Sequence, residues 1–379
     1  MKLAIISNVS GCRWAGSETV WHRAAMLALS QGHQVTAIIH RDLMASTQIV
    51  EFMAAGGELL NWSALGIARL QSFKERFFPS FSPRILDQFD SILISLGSLP
   101  SLTYVPGLAG GLLQSRTPIV LFCQFNSDHL IISPGERQLV RRVMEKSESI
   151  IFCSSRNMIE ARRQFYTEPN DCHIIPNPIR NMGKSPSPWP DDSETAMFAS
   201  VARLEVAWKG QDLLLDVLSQ EQWKVRNWKL RFYGEGPDGE YLKNLATFYQ
   251  ISDHVSFEGH RESLEEIWNQ NHLLLMPSHG EGMPLAALEA MMAGRPVVVT
   301  DVGGNSEVIK EGVSGFIAEA ATLQSFSSAL ERAWHEKNHW MRMGQSARQA
   351  ILERGDVDSS TALLKVWSLQ SKGESGRTP

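Results

Sequence analysis

No apolar run in this sequence reaches the roughly 18 residues that a membrane-spanning helix needs, so no span is expected. The start, "MKLAIISNVSG", lacks the longer apolar core and small-residue cleavage site of a signal peptide, and reads instead as the first strand of a sheet. Cysteine is scarce. Cys12, Cys123, Cys153 and Cys172 form no C-x-x-C pair and show no metal-ligand spacing, and three of them fall in segments that read as buried strands. They are expected to be reduced structural thiols of a cytoplasmic protein. An excess of one charge is also missing: a net −5 over 379 residues gives no global reason to expect a nucleic-acid partner. What remains, with 43% hydrophobic and 20% charged residues, is an ordinary globular chain long enough for two domains.

Short β-rich apolar runs alternate with amphipathic helical segments. "LAIIS", "VTAII", "SILIS", "PIVLFC", "SIIFCS" and "HIIP" are of the kind made by strands covered on both sheet faces. Between the first two, Val20, Ala24, Leu27 and Ala28 follow helical spacing and Gly32 supplies a stop. This βαβ pattern implies a parallel sheet with helices on both faces. It breaks at "NPIRNMGKSPSPWPDDSE", rich in Pro, Ser, Gly and Asp, and restarts with "AMFASVARL", "KLRFYG", "VSFEG", "LLLMP" and "PVVVT" as strands. The expected organisation is therefore an α/β domain over 1–180, a proline-rich linker over 181–194, a second α/β domain over 195–355, and a segment 356–379 that packs back on the first domain and ends in a disordered tail. Residues 322–352 read as two further helices. Ligands of open parallel sheets bind outside the carboxyl ends of the strands, so the loops there are the places to search.

One such stretch reads "MPSHGEGMPLAALEAMMAGRPVVVTDVGGNSEVI", and carries Glu281 and Glu289 in otherwise apolar or glycine-rich surroundings. Pro284 suits the first turn of a helix and Gly294 its end. Glu281 then lies in the preceding loop, and Glu289 inside the helix on a poorly solvated face. A carboxylate placed there needs partners, and sugar hydroxyls are good ones. The N–H groups of Leu285 and Ala286 at the helix start suit phosphate oxygens. Arg203, at the end of the first strand of this half, and Lys209, just before a helix, are cations that could stabilise a departing diphosphate.

With "ARL…WKGQDLLL" (202–215), "YGEGP" (233–237), "VSFEGH" (255–260) and "EGVSGFI" (311–317), this stretch resembles glycosyltransferase family 4, whose members are retaining enzymes of the GT-B fold. That fold has two Rossmann-like, doubly wound parallel-sheet domains facing an interdomain cleft. The glutamate pair matches the family's E-x7-E motif. By this resemblance Glu289 binds the donor ribose, Glu281 touches the transferred sugar, and Arg203 and Lys209 hold the diphosphate. The backbone of Gly282, Met283, Leu285 and Ala286 completes the cradle. His260 and Arg261 lie on the loop where the family places the base. Gly303 and Gly304 read as a tight turn, and Glu307 as a cap of the next helix.

In the N-terminal half, the acceptor side by resemblance, Gly16 and Ser17 match the family's first loop, with Ala15 where a second glycine is usual. Many relatives carry a histidine after the strand "PIVLFC". Here Gln124 stands nearest to that place, and Asp128 and His129 further along are the candidates to replace it. Glutamine can hydrogen-bond a sugar hydroxyl but cannot take a proton. In the front-face mechanism proposed for such enzymes, the leaving phosphate accepts that proton.

The implied activity is metal-independent retaining transfer from a nucleotide-diphosphate sugar, a UDP-sugar by expectation, to a glycan, lipid or small-molecule acceptor, with no cofactor. The alternatives are a nucleotide-sugar-binding protein without transferase activity and a nucleotide-sugar epimerase. The basic and aromatic segments 68–86 and 136–147 suggest peripheral contact with the inner face of the membrane, against the plainer reading of solvated helices and packed phenylalanines.

Overall fold

The computed structural model describes residues 1–9, 14, 18–62, 81–179, 185–191, 194–355 and 358–369. Gly16, Ser17, Cys12 and most of segment 68–86 lie outside them. The chain divides into two compact units: Met1–Pro178 together with Asp358–Pro379, and Ile179–Val357.

The first unit is built on seven parallel strands: β1 (Lys2–Ser7), β2 (Gln34–Ile39), β3 (Glu58–Asn61), β4 (Ser91–Leu96), β5 (Ile119–Cys123), β6 (Ser149–Phe152) and β7 (Cys172–Ile174). Their spatial order is β3-β2-β1-β4-β5-β6-β7. The central strands β1, β4, β5 and β6 are buried almost throughout, which is why they read as unbroken apolar runs. The edge strand β3 alternates exposed and half-buried residues and did not stand out from its neighbours in the sequence. Helix Glu18–Ser30 buries Val20, Trp21, Ala24 and Ala28. The last described helix, Ser359–Leu369, packs on it with Leu363 and Trp367 fully buried, and the Ser359 hydroxyl donates to the Pro176 carbonyl at 2.6 Å.

The second unit has six parallel strands: β8 (Ala196–Val201), β9 (Trp228–Tyr233), β10 (Val255–Gly259), β11 (Leu273–Met276), β12 (Val297–Thr300) and β13 (Gly315–Ala318), in the order β10-β9-β8-β11-β12-β13. The four-residue edge strand β13 is an addition to the strands read from the sequence. Phe198, Trp223, Trp228, Leu230 and Phe232 form the centre of the core. Helices Leu323–His335 and Trp340–Arg354 close the fold, and both were legible as helical segments.

Arg295, only 1% exposed, fastens the described linker residues 185–191 to this unit. Its guanidinium donates to the carbonyls of Trp268 (2.6 Å), Asn271 (2.9 Å) and Ser187 (3.3 Å), and to that of Pro188, and it lies 4.9 Å from the Trp189 ring centroid. Burial lowers its pKa to about 10, so it stays charged at neutral pH.

Candidate functional site

In each sheet the order of strands reverses direction at one point, between β1 and β4 in the first unit and between β8 and β11 in the second. Such switch points open a crevice at the carboxyl ends of the strands. In the second unit the loops that leave β8 and β11 carry Arg203, Lys209 and Glu281.

These loops are bound together by backbone. His279 N–H donates to the Trp208 carbonyl at 2.9 Å. Gly210 has φ +61°, and a Cβ there would stand 2.3 Å from the Pro277 carbonyl oxygen, so only glycine allows the approach. The turn after β12 presses on the other side. Gly303, at φ +52°, would place a Cβ 2.2 Å from the Glu281 carbonyl, and Gly304 N–H donates to Gly282 O at 2.8 Å. The loop after β9 braces the segment that carries Lys209: Leu204 N–H donates to Glu235 O, and the Asp238 carboxylate accepts from Val206 N–H at 2.8 Å. Gln211 adds a side-chain bond to the Arg203 carbonyl at 2.8 Å.

The effect is to join Lys209 to Glu281. The ammonium donates to Glu281 Oε1 at 2.8 Å, and the Ser278 hydroxyl donates to the same oxygen at 2.7 Å. Glu281 is 8% exposed. An ammonium carries three donors, so Lys209 keeps capacity for a second anion while Glu281 fixes its position. Ser278 was not singled out in the sequence; its place three residues before Glu281 was the available signal.

Helix Leu285–Met292 follows the loop. Pro284 caps it with ψ 82° rather than opening its first turn, so the helix starts at Leu285, one residue later than the sequence suggests. Its last turn closes through Gly294 N–H to Met291 O and Arg295 N–H to Ala290 O, the hydrogen-bond pair of a left-handed C-terminal cap. Glu289, the fifth helical residue, is buried at 7% exposure. Gly282 and Met283 are buried, and Leu285 and Ala286 half-buried, at the helix start, where the first N–H groups have no acceptor within the helix.

Arg203 stands apart from this pair. Its side chain is 62% exposed, with Nε 3.5 Å from Glu205 Oε2. His260 and Arg261, just past β10, are exposed, and Arg261 meets Glu258 at 3.2 Å.

In the first unit Gln124 leaves β5 buried. Its N–H donates to Leu96 O at 2.9 Å, and its Oε1 accepts from the Cys153 thiol at 3.3 Å. Burial raises the pKa of both neighbouring thiols, Cys123 to about 12 and Cys153 well above the usual range, so both are held protonated. Asp128 is ion-paired with Arg163 of helix Ser155–Phe165. The Asn126 and Asn157 amides tie the same loop down, to Gln164 Oε1 at 2.8 Å and Asn126 O at 2.9 Å.

Segment 136–147 falls in helix Pro134–Lys146, which opens with a capping box between Ser133 and Glu136. Three of its cations have partners inside the unit: Arg137 with Gln164 O, Arg141 with Glu145 at 2.6 Å, and Lys146 with Leu113 O at 2.9 Å. Of segment 68–86, the described part contains Phe81, which is buried. Among the described residues no helix is long and apolar enough to cross a membrane.

Two parallel sheets, each wound about a switch point, define the GT-B fold. Residues 183–350 match the family model "Glycosyl transferases group 1". Putative glycosyltransferase EpsD of Bacillus subtilis is 26% identical over 160 residues, 42% of each chain. The lipopolysaccharide 1,6-galactosyltransferase of Escherichia coli K12 is 29% identical over 165 residues, 42% of this chain and 45% of that one. The chain thus spans less than half the length of these curated relatives. Solved structures extend the likeness of fold to nearly the whole chain. The apo lipopolysaccharide outer core galactosyltransferase WaaB superposes with TM-score 0.71 at 19% identity, covering 96% of this chain and 98% of that one. HepE of Anabaena in complex with UDP gives 0.73 at 16% identity, covering 97% and 100%.

Proposed function

We propose that this protein is a retaining glycosyltransferase that moves a sugar from a nucleoside diphosphate donor to a glycan, lipid or small-molecule acceptor. The observation that carries this reading is the Lys209–Glu281–Ser278 cluster at the switch point of the second sheet, beside a helix start and in front of the buried Glu289. The helix N–H groups and Lys209 suit the diphosphate, Glu281 the transferred sugar, and Glu289 the ribose hydroxyls. As the glycosidic bond breaks, negative charge grows on the leaving diphosphate. Lys209, already positioned, and Arg203, free to swing from the surface, would stabilise that charge without a metal ion. A UDP-sugar is the favoured donor, in line with the UDP held by the structurally similar HepE.

The test is a binding screen of the purified protein against UDP-, GDP-, ADP- and dTDP-sugars, followed by release of the nucleotide and the anomeric configuration of the product. Transfer with retained configuration after exhaustive chelation is expected; a strict need for a divalent ion would overturn the metal-free reading. Glu289→Ala should weaken nucleotide binding, and unchanged affinity by calorimetry would remove the ribose assignment. Gln124 favours a second reading, a nucleotide-sugar-binding protein without transfer, since an amide cannot accept a proton. Tight binding without transfer or slow donor hydrolysis would decide for it.

A further inference from the structure

The carboxyl ends of β1, β2 and β3 bring together side chains that the donor chemistry leaves unused. His40 directly follows β2 and Trp62 directly follows β3, and their ring centroids lie 4.9 Å apart, tilted by 55°. Both are half-buried. The Trp62 indole N–H donates to the Ser7 carbonyl at the end of β1, at 2.9 Å. With its one polar atom used there, Trp62 has only its ring faces left to offer a ligand. His40 is held from the other side. Its Nδ1 lies 3.0 Å from Asp42 Oδ2, and the Asp42 backbone N–H is 3.3 Å from the same nitrogen. The carboxylate contact is the shorter of the two and helps hold the ring in place, leaving Nε2 as its second polar atom. Among the described residues Nε2 has no hydrogen-bond partner.

We infer that His40, Asp42 and Trp62 form an acceptor subsite for a pyranose. The inference rests on the glycosyl-transfer reading above and deepens it by naming the acceptor as a saccharide. A pyranose has one face of polarised C–H groups and a rim of hydroxyls. The first packs on an indole, and the second needs a fixed polar atom close beside it. A rigid aromatic face with one oriented hydrogen-bonding group is how small sites combine affinity with orientation. All three residues are anchored by the parallel sheet, since each sits at or just past a strand end, beside the switch point between β1 and β4 where ligands of such sheets bind. The His40–Asp42 pair fixes the imidazole, so the ring reaches the ligand already turned.

Saturation-transfer NMR on the full chain tests this, with methyl α-D-glucopyranoside as probe and glycerol as the polyol without a pyranose face. The wild type should transfer saturation to the pyranoside ring protons and not to glycerol. Trp62→Ala should reduce that signal at least about tenfold, Trp62→Phe should keep part of it, and His40→Ala should weaken it while His40→Gln restores some. Equal signals from the pyranoside and glycerol, no pyranoside signal in the wild type, or an undiminished one in both alanine variants, would overturn the subsite. UDP affinity by calorimetry, measured on the same samples, should be unchanged in every variant. It separates the two readings: loss of UDP binding in the wild type strikes the donor assignment, whereas loss of pyranoside binding alone strikes this one. A fall in UDP affinity in Trp62→Ala that Trp62→Phe does not repair would count against the subsite as a local site.

Discussion

If Lys209 and Glu281 act as one unit, their substitutions will not add. At 2.8 Å and an effective dielectric of about 20, the gross attraction between the charges is ~6 kcal/mol. Most of this offsets the cost of removing both groups from water, because Glu281 has 10% of its side chain exposed and Lys209 27%. Removing one member therefore reports the stranded partner more than the bond. Lys209→Met leaves a poorly solvated carboxylate with the Ser278 hydroxyl, and should lower stability by about 2–4 kcal/mol. Glu281→Gln leaves an ammonium that can reach water more easily, and should cost about 1–2 kcal/mol. The double variant should cost little more than the worse single one, giving a coupling of at least about 1 kcal/mol. The assay is urea denaturation followed by tryptophan fluorescence, supported by far-UV circular dichroism to check that both signals move together. Single effects that sum to the double within about 0.5 kcal/mol would refute the pair as an energetic unit. All three variants should lose transfer activity whatever their stability.

Three other outcomes are expected. Arg295→Met removes a buried donor from several carbonyls at once and should destabilise the chain by about 3 kcal/mol or more, read as a fall in thermal midpoint; a shift equivalent to under about 1 kcal/mol would contradict the clamp on the linker. Gly303→Ala forces a Cβ against the Glu281 and Gly282 carbonyls, 2.2 and 2.6 Å away, so it should cost about 1–3 kcal/mol and displace Glu281 enough to depress turnover; wild-type kinetics would show that the turn yields freely. Burial lowers the pKa of His22, which donates from Nε2 to the Gln48 carbonyl at 2.8 Å. The unfolded chain therefore takes up that proton first, and stability should fall as the pH drops below about 6.5. His22→Gln should flatten this part of the profile, and an unchanged slope in denaturation midpoints between about pH 5 and 6.5 would refute the assignment.

The sequence displayed the central strands because burial on both faces demands apolar residues at every position, as in "SILISL" and "IVLFC". It hid β3 because that edge strand alternates exposed and half-buried residues, and β13 because four residues, although mostly buried, make too short a run to read as a strand. The loop and helix placement of Glu281 and Glu289 was legible from Pro284, Gly294 and the apolar run between them. The Lys209–Glu281 bond was not, since it spans 72 residues and depends on β8 and β11 being neighbours. Gln124 illustrates a different limit. Its position marked it, but its burial beneath the Cys153 thiol follows from the pairing of β5 with β6. His40 and Trp62 were passed over for the same reason: neither lies in a motif, and only the sheet brings them together.

The helix Ser359–Leu369 lies against helix Glu18–Ser30, so the first unit takes in residues made only after the whole second unit. A ribosome adding about 5–20 residues per second releases the whole second unit before that helix emerges. During this interval the face of helix Glu18–Ser30 that the returning helix will cover is open to water and to other chains. The second unit has no such debt and can close on its own sequence. Synthesis thus reverses the order that the linear sequence suggests: the unit begun first is finished second, and the young chain is most prone to aggregate until its last described helix arrives.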